Sequence, residues 1–223
     1  MPDLYILMGA NGAGKSTTGA SHLPQHIQQH YEVFDGDKLY WAKIRELYKY
    51  VTPSIKEAQR LSLDWLFQHF EESVKAAIEK MDDFAYEGHL PDDENWKTPK
   101  RFRKKGYNIH VIYLGLKNIN LSALRVFERA KLGGHNVPPY EIKRNFYGNL
   151  RQINKRFKWI DELKIVDTTD LPPKALALVQ KGVINDALNH GKLPEWFENG
   201  LPKLFKKIEK RDNNDFFKKI KSI

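Results

Sequence analysis

Residues 9–16 match the phosphate-binding pattern G-x-x-x-x-G-K-S/T in full. In such a loop the glycines adopt backbone angles that other residues avoid, so that successive N–H groups can point at one phosphate. Lys15 can then reach the β- and γ-phosphates, and the hydroxyl of Ser16 can bind Mg²⁺. The pattern therefore predicts a site for a nucleoside triphosphate with Mg²⁺. Its predicted nucleotide-binding residues are Gly9, Ala10, Asn11, Gly12, Ala13, Gly14, Lys15, Ser16 and Thr17.

A pair of carboxylates, Asp35 and Asp37, comes about twenty residues after Lys15 and flanks Gly36. In kinases that act on small molecules, a carboxylate beside the γ-phosphate accepts the proton of the substrate hydroxyl. We assign Asp37 as this base, and Asp35 as a residue that supports the substrate or the Mg²⁺ side. The sequence Asp-Gly-Asp is also common in solvated turns, so the assignment depends on the phosphate loop before it.

Two other classes of phosphate-loop protein need motifs that the sequence does not show. A GTPase needs a base-recognition motif such as N-K-x-D, but the single Asn-Lys pair, Asn154-Lys155, is followed by Arg156 and Phe157. A motor ATPase needs an apolar strand that ends in Asp-Glu, and no apolar run ends in this way. A small kinase fits the motifs better.

Basic residues concentrate on two predicted helices. Arg125 and Arg129 lie four residues apart on the first helix, residues 121–132, which should end at Gly133-Gly134. One face of the second helix, residues 140–159, carries Arg144, Arg151, Lys155 and Lys158. Because a mobile helical lid can bring arginines to the transferring phosphoryl group, we expect a lid over residues 121–159. Arg125 and Arg129 are its predicted catalytic residues.

Polar residues also follow two further predicted strands. Glu87 and His89 follow residues 84–86, where we expect them to contact the substrate, although a lone histidine carries little information. Asp167 and Thr168 follow residues 163–166 and lie where the adenine side of a nucleotide is usually contacted.

Apolar runs alternate with segments of helical periodicity along the chain. The predicted strands are residues 4–8, 31–34, 84–86, 108–114 and 163–166. Their strongly apolar character predicts an α/β fold of the P-loop NTPase type, with a mostly parallel sheet of about five strands flanked by helices. A long helix is predicted over residues 54–81 with Ser54 as its N-cap, whereas residues 175–179 fit either an edge strand or a helix.

Composition sets further limits on the 223 residues. The chain has no Cys, which excludes disulfides and Cys-based metal or thiol chemistry, and 41% hydrophobic residues allow a folded core. No apolar stretch is long enough for a membrane span and the start does not resemble a secretory signal, so we expect a cytoplasmic protein. The net charge of +9 favours anionic ligands. We expect a kinase domain over residues 1–197 and a basic tail, helical or disordered, over residues 198–223.

These segments together resemble the zeta toxin-like family of P-loop kinases, in its chromosomal, stand-alone branch. The matching segments are residues 9–16, 34–37, 86–90, 125–129, 133–138 and 193–196. The resemblance implies a shikimate kinase-like fold and a kinase that depends on ATP and Mg²⁺. The best-known activity of the family is phosphorylation of the 3′-hydroxyl of the amino sugar in UDP-N-acetylglucosamine, and an antitoxin normally restrains the enzyme.

By position, the resemblance assigns phosphate and Mg²⁺ binding to Lys15 and Ser16, and the role of base to Asp37. It also implies that Glu87 contacts the substrate and that the two arginines of the first basic helix clamp phosphate. One position departs from the family pattern, because relatives tend to have an arginine where this chain has Asn145.

Two alternatives to a small-molecule kinase stay open. One is a kinase for nucleic-acid ends, which the basic and aromatic segment of residues 96–105 favours, since aromatic side chains among basic ones can stack on single-stranded bases. The other is a binding protein in which ATP only switches a partner surface. The sequence identifies neither the phosphoryl acceptor nor an antitoxin.

Overall fold

A six-stranded sheet forms the centre of the computed structural model, which describes residues 1–131 and 137–221, with side chains described up to residue 214. The strands are β1 (Asp3–Gly9), β2 (Phe84–Gly88), β3 (Asn108–Gly115), β4 (Glu162–Asp167), β5 (Lys174–Gln180) and β6 (Val183–Ala187). They lie in the order β2-β1-β3-β4-β5-β6. The first four are parallel, and β5 and β6 are added antiparallel at one edge. The predicted mostly parallel α/β fold is confirmed.

The central strands are apolar because helices or loops cover both of their faces. Leu4, Ile6 and Leu7 of β1 and Ile109 of β3 are fully buried. A parallel sheet buried on both faces needs such continuous apolar runs, and this requirement made these strands visible in the sequence. The carboxyl ends of β1, β2, β3 and β4 meet at one edge of the sheet, where ligands bind in open α/β folds.

Helices surround the sheet. They are α1 (Gln25–His30), α2 (Gly36–Tyr50), α3 (Ile55–Lys80), α4 (Lys97–Lys104), α5 (Ile119–Lys131), α6 (Pro139–Arg156), α7 (Glu195–Gly200) and α8 (Pro202–Lys221). The predicted N-cap of the long helix is confirmed, since the Ser54 hydroxyl accepts a hydrogen bond from the Glu57 N–H at 3.3 Å. None of the described helices is both long and apolar enough to cross a membrane.

The helix predicted as the second half of a lid belongs to the core. Eight residues of α6 are buried, and Phe146, Leu150 and Ile153 pack in the main apolar cluster. A helix held in this way is not suited to swing as an arm. The predicted hinge, Gly133-Gly134, lies outside the described residues.

The strand predicted over residues 31–34 is wrong. Only Phe34 bridges to the sheet, through its N–H to the Ala85 carbonyl at 2.9 Å and its carbonyl to the Glu87 N–H at 3.0 Å. After Phe34 the chain turns into α2, because the Asp35 side chain caps the start of that helix. This helix was not predicted from the sequence.

The structure shows the secondary structure of two segments near the carboxyl end for which the sequence allowed alternatives. Residues 175–179 lie within β5, and the exposed strand β6 pairs with it. The tail predicted from residue 198 is helical, and its first part is continuous with the domain, because Leu201, Leu204 and Ile208 are fully buried. A boundary at residue 197 would divide α7.

Candidate active site

The phosphate loop connects β1 to a single π-type helical turn, Lys15–Gly19. Gly12 and Gly14 have φ angles of 71° and 82°, in the left-handed region that side chains disfavour. Gly14 ends the loop, and its carbonyl accepts hydrogen bonds from the N–H groups of Thr17, Thr18 and Gly19. Two glycines of the predicted phosphate-binding pattern thus adopt the left-handed backbone angles that the loop requires.

Side chains from other elements fasten the carbonyl groups of the loop. The Gly9 carbonyl accepts from Asn149 Nδ2 at 3.0 Å, and the Asn11 carbonyl from Ser122 Oγ at 2.6 Å. The other two fastened carbonyls are those of Gly12, held by Arg125 at 3.2 Å, and Ala13, held by Thr168 at 3.0 Å. Because these four carbonyls are already held, fewer backbone groups of the loop would have to reorganise when an anion binds.

Lys15 lies against the loop and beside His89. Its ammonium donates to the carbonyls of Gly9 at 3.3 Å and Ala10 at 3.1 Å, and lies 3.4 Å from His89 Nε2. Burial lowers the pKa of Lys15 to about 8, although the carboxylates of Glu87 and Asp37 oppose this shift. Burial and the Lys15 charge hold the pKa of His89 well below its usual value, so the imidazole is neutral and Nε2 can accept. In this structure His89 contacts two residues of the phosphate loop, Asn11 and Lys15.

Two asparagines one turn apart on α6 join this network, and the sequence did not reveal their role. Asn149 is fully buried and also accepts from the Leu90 N–H at 2.8 Å. Asn145 is buried and donates to Asn11 Oδ1 at 3.0 Å. At this position the chain supports the loop through an uncharged amide.

A cavity of about 700 Å³ opens beside Ser16. Asp35, Asp37, Glu87 and Arg129 all line it. The Ser16 hydroxyl donates to Glu87 Oε2 at 2.9 Å, and burial together with nearby Asp35 raises the pKa of Glu87. The structure thus brings together predicted residues from four separate segments of the chain.

The two predicted carboxylates, Asp35 and Asp37, occupy different positions at the start of α2. Asp35 is the N-cap of α2, where its Oδ1 accepts from the Lys38 N–H at 3.0 Å. Asp37 lies in the first turn of the same helix, and its side chain is exposed to the cavity. The helix start at Gly36 directs both residues to one edge of the sheet.

The two predicted lid arginines have different surroundings. Arg129 is exposed and lines the cavity. Arg125 is half-buried, and besides Gly12 it donates to the carbonyls of Thr168 at 2.9 Å and Thr169 at 2.8 Å. It ties the loop to the segment after β4 and is not among the residues that line the cavity.

Basic residues of α6 form ion pairs with Asp92 and Asp93 and do not line the cavity. Arg144 pairs with Asp92, whereas Lys155 pairs with Asp93 at 2.8 Å. Arg151 donates to the Pro91 carbonyl at 3.3 Å. Neither Arg144 nor Arg151 lines the cavity beside Ser16.

Oxygen groups suited to Mg²⁺ are present at the cavity. The Ser16 hydroxyl and the Glu87 carboxylate are in contact, and Asp35 is close enough to raise the Glu87 pKa. Within the described residues no group of three or more His, Asp or Glu could hold a metal on its own. This donor set fits Mg²⁺, which commonly uses one or two protein oxygens together with substrate phosphates and water.

The model of the zeta toxin family matches residues 1–171 of the sequence. The chain belongs to the zeta toxin family. The resemblance drawn from the phosphate loop, the carboxylate pair and the paired arginines is confirmed. No curated protein sequence matches the chain.

Solved structures show the same fold as this zeta toxin family chain at low sequence identity. The AvrRxo1-ORF1:AvrRxo1-ORF2 structure with sulphate ions has a TM-score of 0.68 and 13% identity, and the alignment covers 90% of this chain and 64% of that one. A structure of the same pair with ATP gives a TM-score of 0.64 at 14% identity, covering 93% and 63%. The PezAT chromosomal toxin–antitoxin system of Streptococcus pneumoniae gives a TM-score of 0.57 at 17% identity, covering 95% and 87%. The chain thus spans less than two thirds of these two AvrRxo1 chains.

Proposed function

We propose that this member of the zeta toxin family is a kinase that depends on ATP and Mg²⁺ and phosphorylates a hydroxyl of a small molecule. The cavity beside Ser16 supports the proposal most strongly, because Asp37, Glu87 and Arg129 line it together. A γ-phosphate bound by the loop would face this cavity, and so would the hydroxyl that attacks it. The cavity therefore combines a candidate base, a cation and a phosphate-binding end.

In the proposed reaction, Asp37 accepts the proton of the acceptor hydroxyl while the hydroxyl oxygen bonds to the γ-phosphorus. The bond from that phosphorus to the bridging oxygen breaks, and ADP leaves. Lys15 and Arg129 neutralise charge on the transferring group. Ser16, with Glu87 and Asp35 beside it, would hold Mg²⁺, which when bound neutralises charge on the β- and γ-phosphates.

The identity of the acceptor rests on analogy with the family. We propose a UDP-amino sugar as the first acceptor to test, because this is the substrate class implied by the zeta toxin resemblance. An antitoxin is the proposed protein partner, since the structural relative from Streptococcus pneumoniae belongs to a toxin–antitoxin system.

The alternative of a kinase for nucleic-acid ends was favoured by aromatic side chains among basic ones, and the aromatic side chains are not accessible. In the basic and aromatic segment around α4, Trp96 and Phe102 are fully buried. Trp96 Nε1 donates to the Leu90 carbonyl at 3.2 Å, and the Phe102 ring stacks on Phe84 at 5.6 Å between centroids. Neither aromatic side chain can stack on a base.

Transfer of labelled phosphate from ATP tests the proposal and separates it from a non-catalytic ATP-binding protein. The acceptors are UDP-N-acetylglucosamine, a cell metabolite extract and an RNA pool. Lys15→Ala should abolish transfer, while Asp37→Asn should lower the rate by about 10²–10⁴ and leave ATP affinity within a few-fold.

The matched control for Asp37→Asn is Asp64→Asn, an exposed acidic position on α3 that should retain full activity. Wild-type transfer by Asp37→Asn would exclude this residue as the base. Binding of ATP without transfer to any of the acceptors would favour the non-catalytic alternative.

A further inference from the structure

A groove of about 610 Å³ runs between the carboxyl end of α6 and α8, away from the cavity beside Ser16. Six exposed lysines line it. They are Lys155, Lys158, Lys203, Lys206, Lys207 and Lys210. The two other lining residues, Asn154 and Phe157, are uncharged, so no carboxylate lies among the lining residues.

The two walls of this lysine groove are held in place by the core. Leu204 and Ile208 of α8 are fully buried and anchor the helix to the core, while Lys206 and Lys207 between them are exposed. Asn154 Oδ1 of α6 accepts from the Lys203 N–H at 2.9 Å and joins the two helices. The backbone positions from which the lysines project are therefore fixed relative to one another.

Little negative charge compensates these lysines. In the part of the chain that the structure describes, Lys155 is the only one of the six with an ion-pair partner, Asp93 at 2.8 Å. Like charges at spacings of three and four residues destabilise a helix, and residues 203–210 of α8 place four lysines at these spacings against a single carboxylate, Glu209. A polyanion in the groove would relieve this repulsion and would be attracted by the positive potential.

The shape and composition of the groove select among polyanions. A planar membrane surface cannot reach both walls of a concave groove. A protein interface needs apolar or aromatic anchors at its centre, but Phe157 is only 3% exposed. Nucleic-acid phosphates need no such anchor, because binding to them is dominated by charge.

We propose that the lysine groove binds the phosphodiester backbone of a nucleic acid, independently of the kinase site. The α8 row, from Lys203 to Lys210, spans about 10 Å at 1.5 Å per residue. Measured along the axis of a duplex, each strand carries a phosphate every ~3.4 Å, so about three phosphates of one strand fall within the length of this row. No exposed aromatic side chain lines the groove to stack on unpaired bases. Contacts to phosphates carry no sequence information, so the groove would bind without regard to base sequence.

The test measures binding of short fluorescent DNA and RNA duplexes to the full chain by anisotropy, at salt concentrations from about 50 to 200 mM. The groove variant replaces Lys203, Lys206, Lys207 and Lys210 by Gln. The matched variant makes the same change at four exposed lysines of α2 and α3, namely Lys49, Lys56, Lys75 and Lys80. Each variant removes four charges from the net +9.

For the wild type we expect log affinity to fall with log salt at a slope of about −4 to −5, since each phosphate contact contributes about 0.9. The groove variant should bind at least tenfold more weakly at low salt, with a slope flatter by about 3, and should keep kinase activity. The matched variant should behave like the wild type. Equal loss in both variants, absence of duplex binding, or equally tight binding of poly-glutamate or anionic vesicles would overturn the proposal.

Discussion

Arg125 and Arg129 resemble each other in sequence, but the structure predicts that their removal has different effects. Arg125 makes three hydrogen bonds from a charged donor to the carbonyls of Gly12, Thr168 and Thr169. Such bonds contribute about 1.5–3 kcal/mol each, but these three share one half-buried guanidinium and are not additive. We therefore expect Arg125→Ala to lower the free energy of unfolding by about 3 kcal/mol. For a chain of this size the Tm should fall by roughly 6–12 °C.

Arg129→Ala should show the opposite pattern. Its side chain is exposed, so its removal leaves no cavity in the core and should change the free energy of unfolding by about 1 kcal/mol or less. If Arg129 stabilises charge on the transferring phosphoryl group, kcat should fall by about 10²–10³ while ATP affinity changes little. Arg144→Ala is the internal control, because Arg144 pairs with Asp92 outside the cavity and its loss should be mild for both quantities.

The assays are thermal unfolding without ligand and phosphate transfer at saturating ATP, on the same protein preparations. Arg125→Lys adds a second test, since a lysine cannot reproduce the planar fork of donors and should restore little stability. If Arg125→Ala instead unfolds at the wild-type temperature and loses kcat as Arg129→Ala does, the carbonyl contacts are unimportant. Both arginines would then act on the phosphate as lid residues.

Three further predictions concern the network around the loop. Asp35→Ala should lower stability by about 1 kcal/mol through loss of the α2 N-cap, whereas Asp35→Asn should keep it; equal Tm values for the two variants would contradict the capping role. Because burial lowers the pKa of Lys15 to about 8, the ammonium is lost above that pH in the free protein, and phosphate binding should restore it. ATP affinity should then fall above pH 8, with proton uptake measurable by calorimetry in buffers of different ionisation heat; binding without uptake at that pH would refute the assignment. Asn149→Leu removes the bonds to the Gly9 carbonyl and the Leu90 N–H and should lower the free energy of unfolding by about 2–4 kcal/mol in urea titration, whereas an unchanged midpoint would show these bonds to be dispensable.

The sequence was most informative where local chemistry decides the structure. The apolar run of β1 and the glycines after it predicted a strand and a phosphate loop, because both depend on neighbouring residues. The prediction of a strand over residues 31–34 was wrong, because only Phe34 of this apolar segment pairs with the sheet, through a single bridge. The start of α2 at Asp35 had a readable signal, an N-cap aspartate, but the turn chemistry of Asp-Gly-Asp obscured it.

Contacts between distant segments could not be predicted in this way. Asn145 and Asn149 look like ordinary polar residues on a helix, and only the packing of α6 brings them to the phosphate loop. The basic face of the same helix suggested a lid, because its partners Asp92 and Asp93 lie about 50–60 residues earlier in the chain. A charge pattern shows which residues are basic but not where their counter-charges lie.

The fastened carbonyls of the loop bear on when the nucleotide site forms during protein synthesis. The signature sequence is complete once residue 16 has been added, but the donors Ser122, Arg125, Asn149 and Thr168 follow 111 to 155 residues after the carbonyls they hold. A nascent chain that has not reached Thr168 carries the whole signature and lacks at least one of these bonds. Translation must therefore pass β4 before the cradle is fixed, and a transcript cut short upstream of that point yields a chain that cannot complete it.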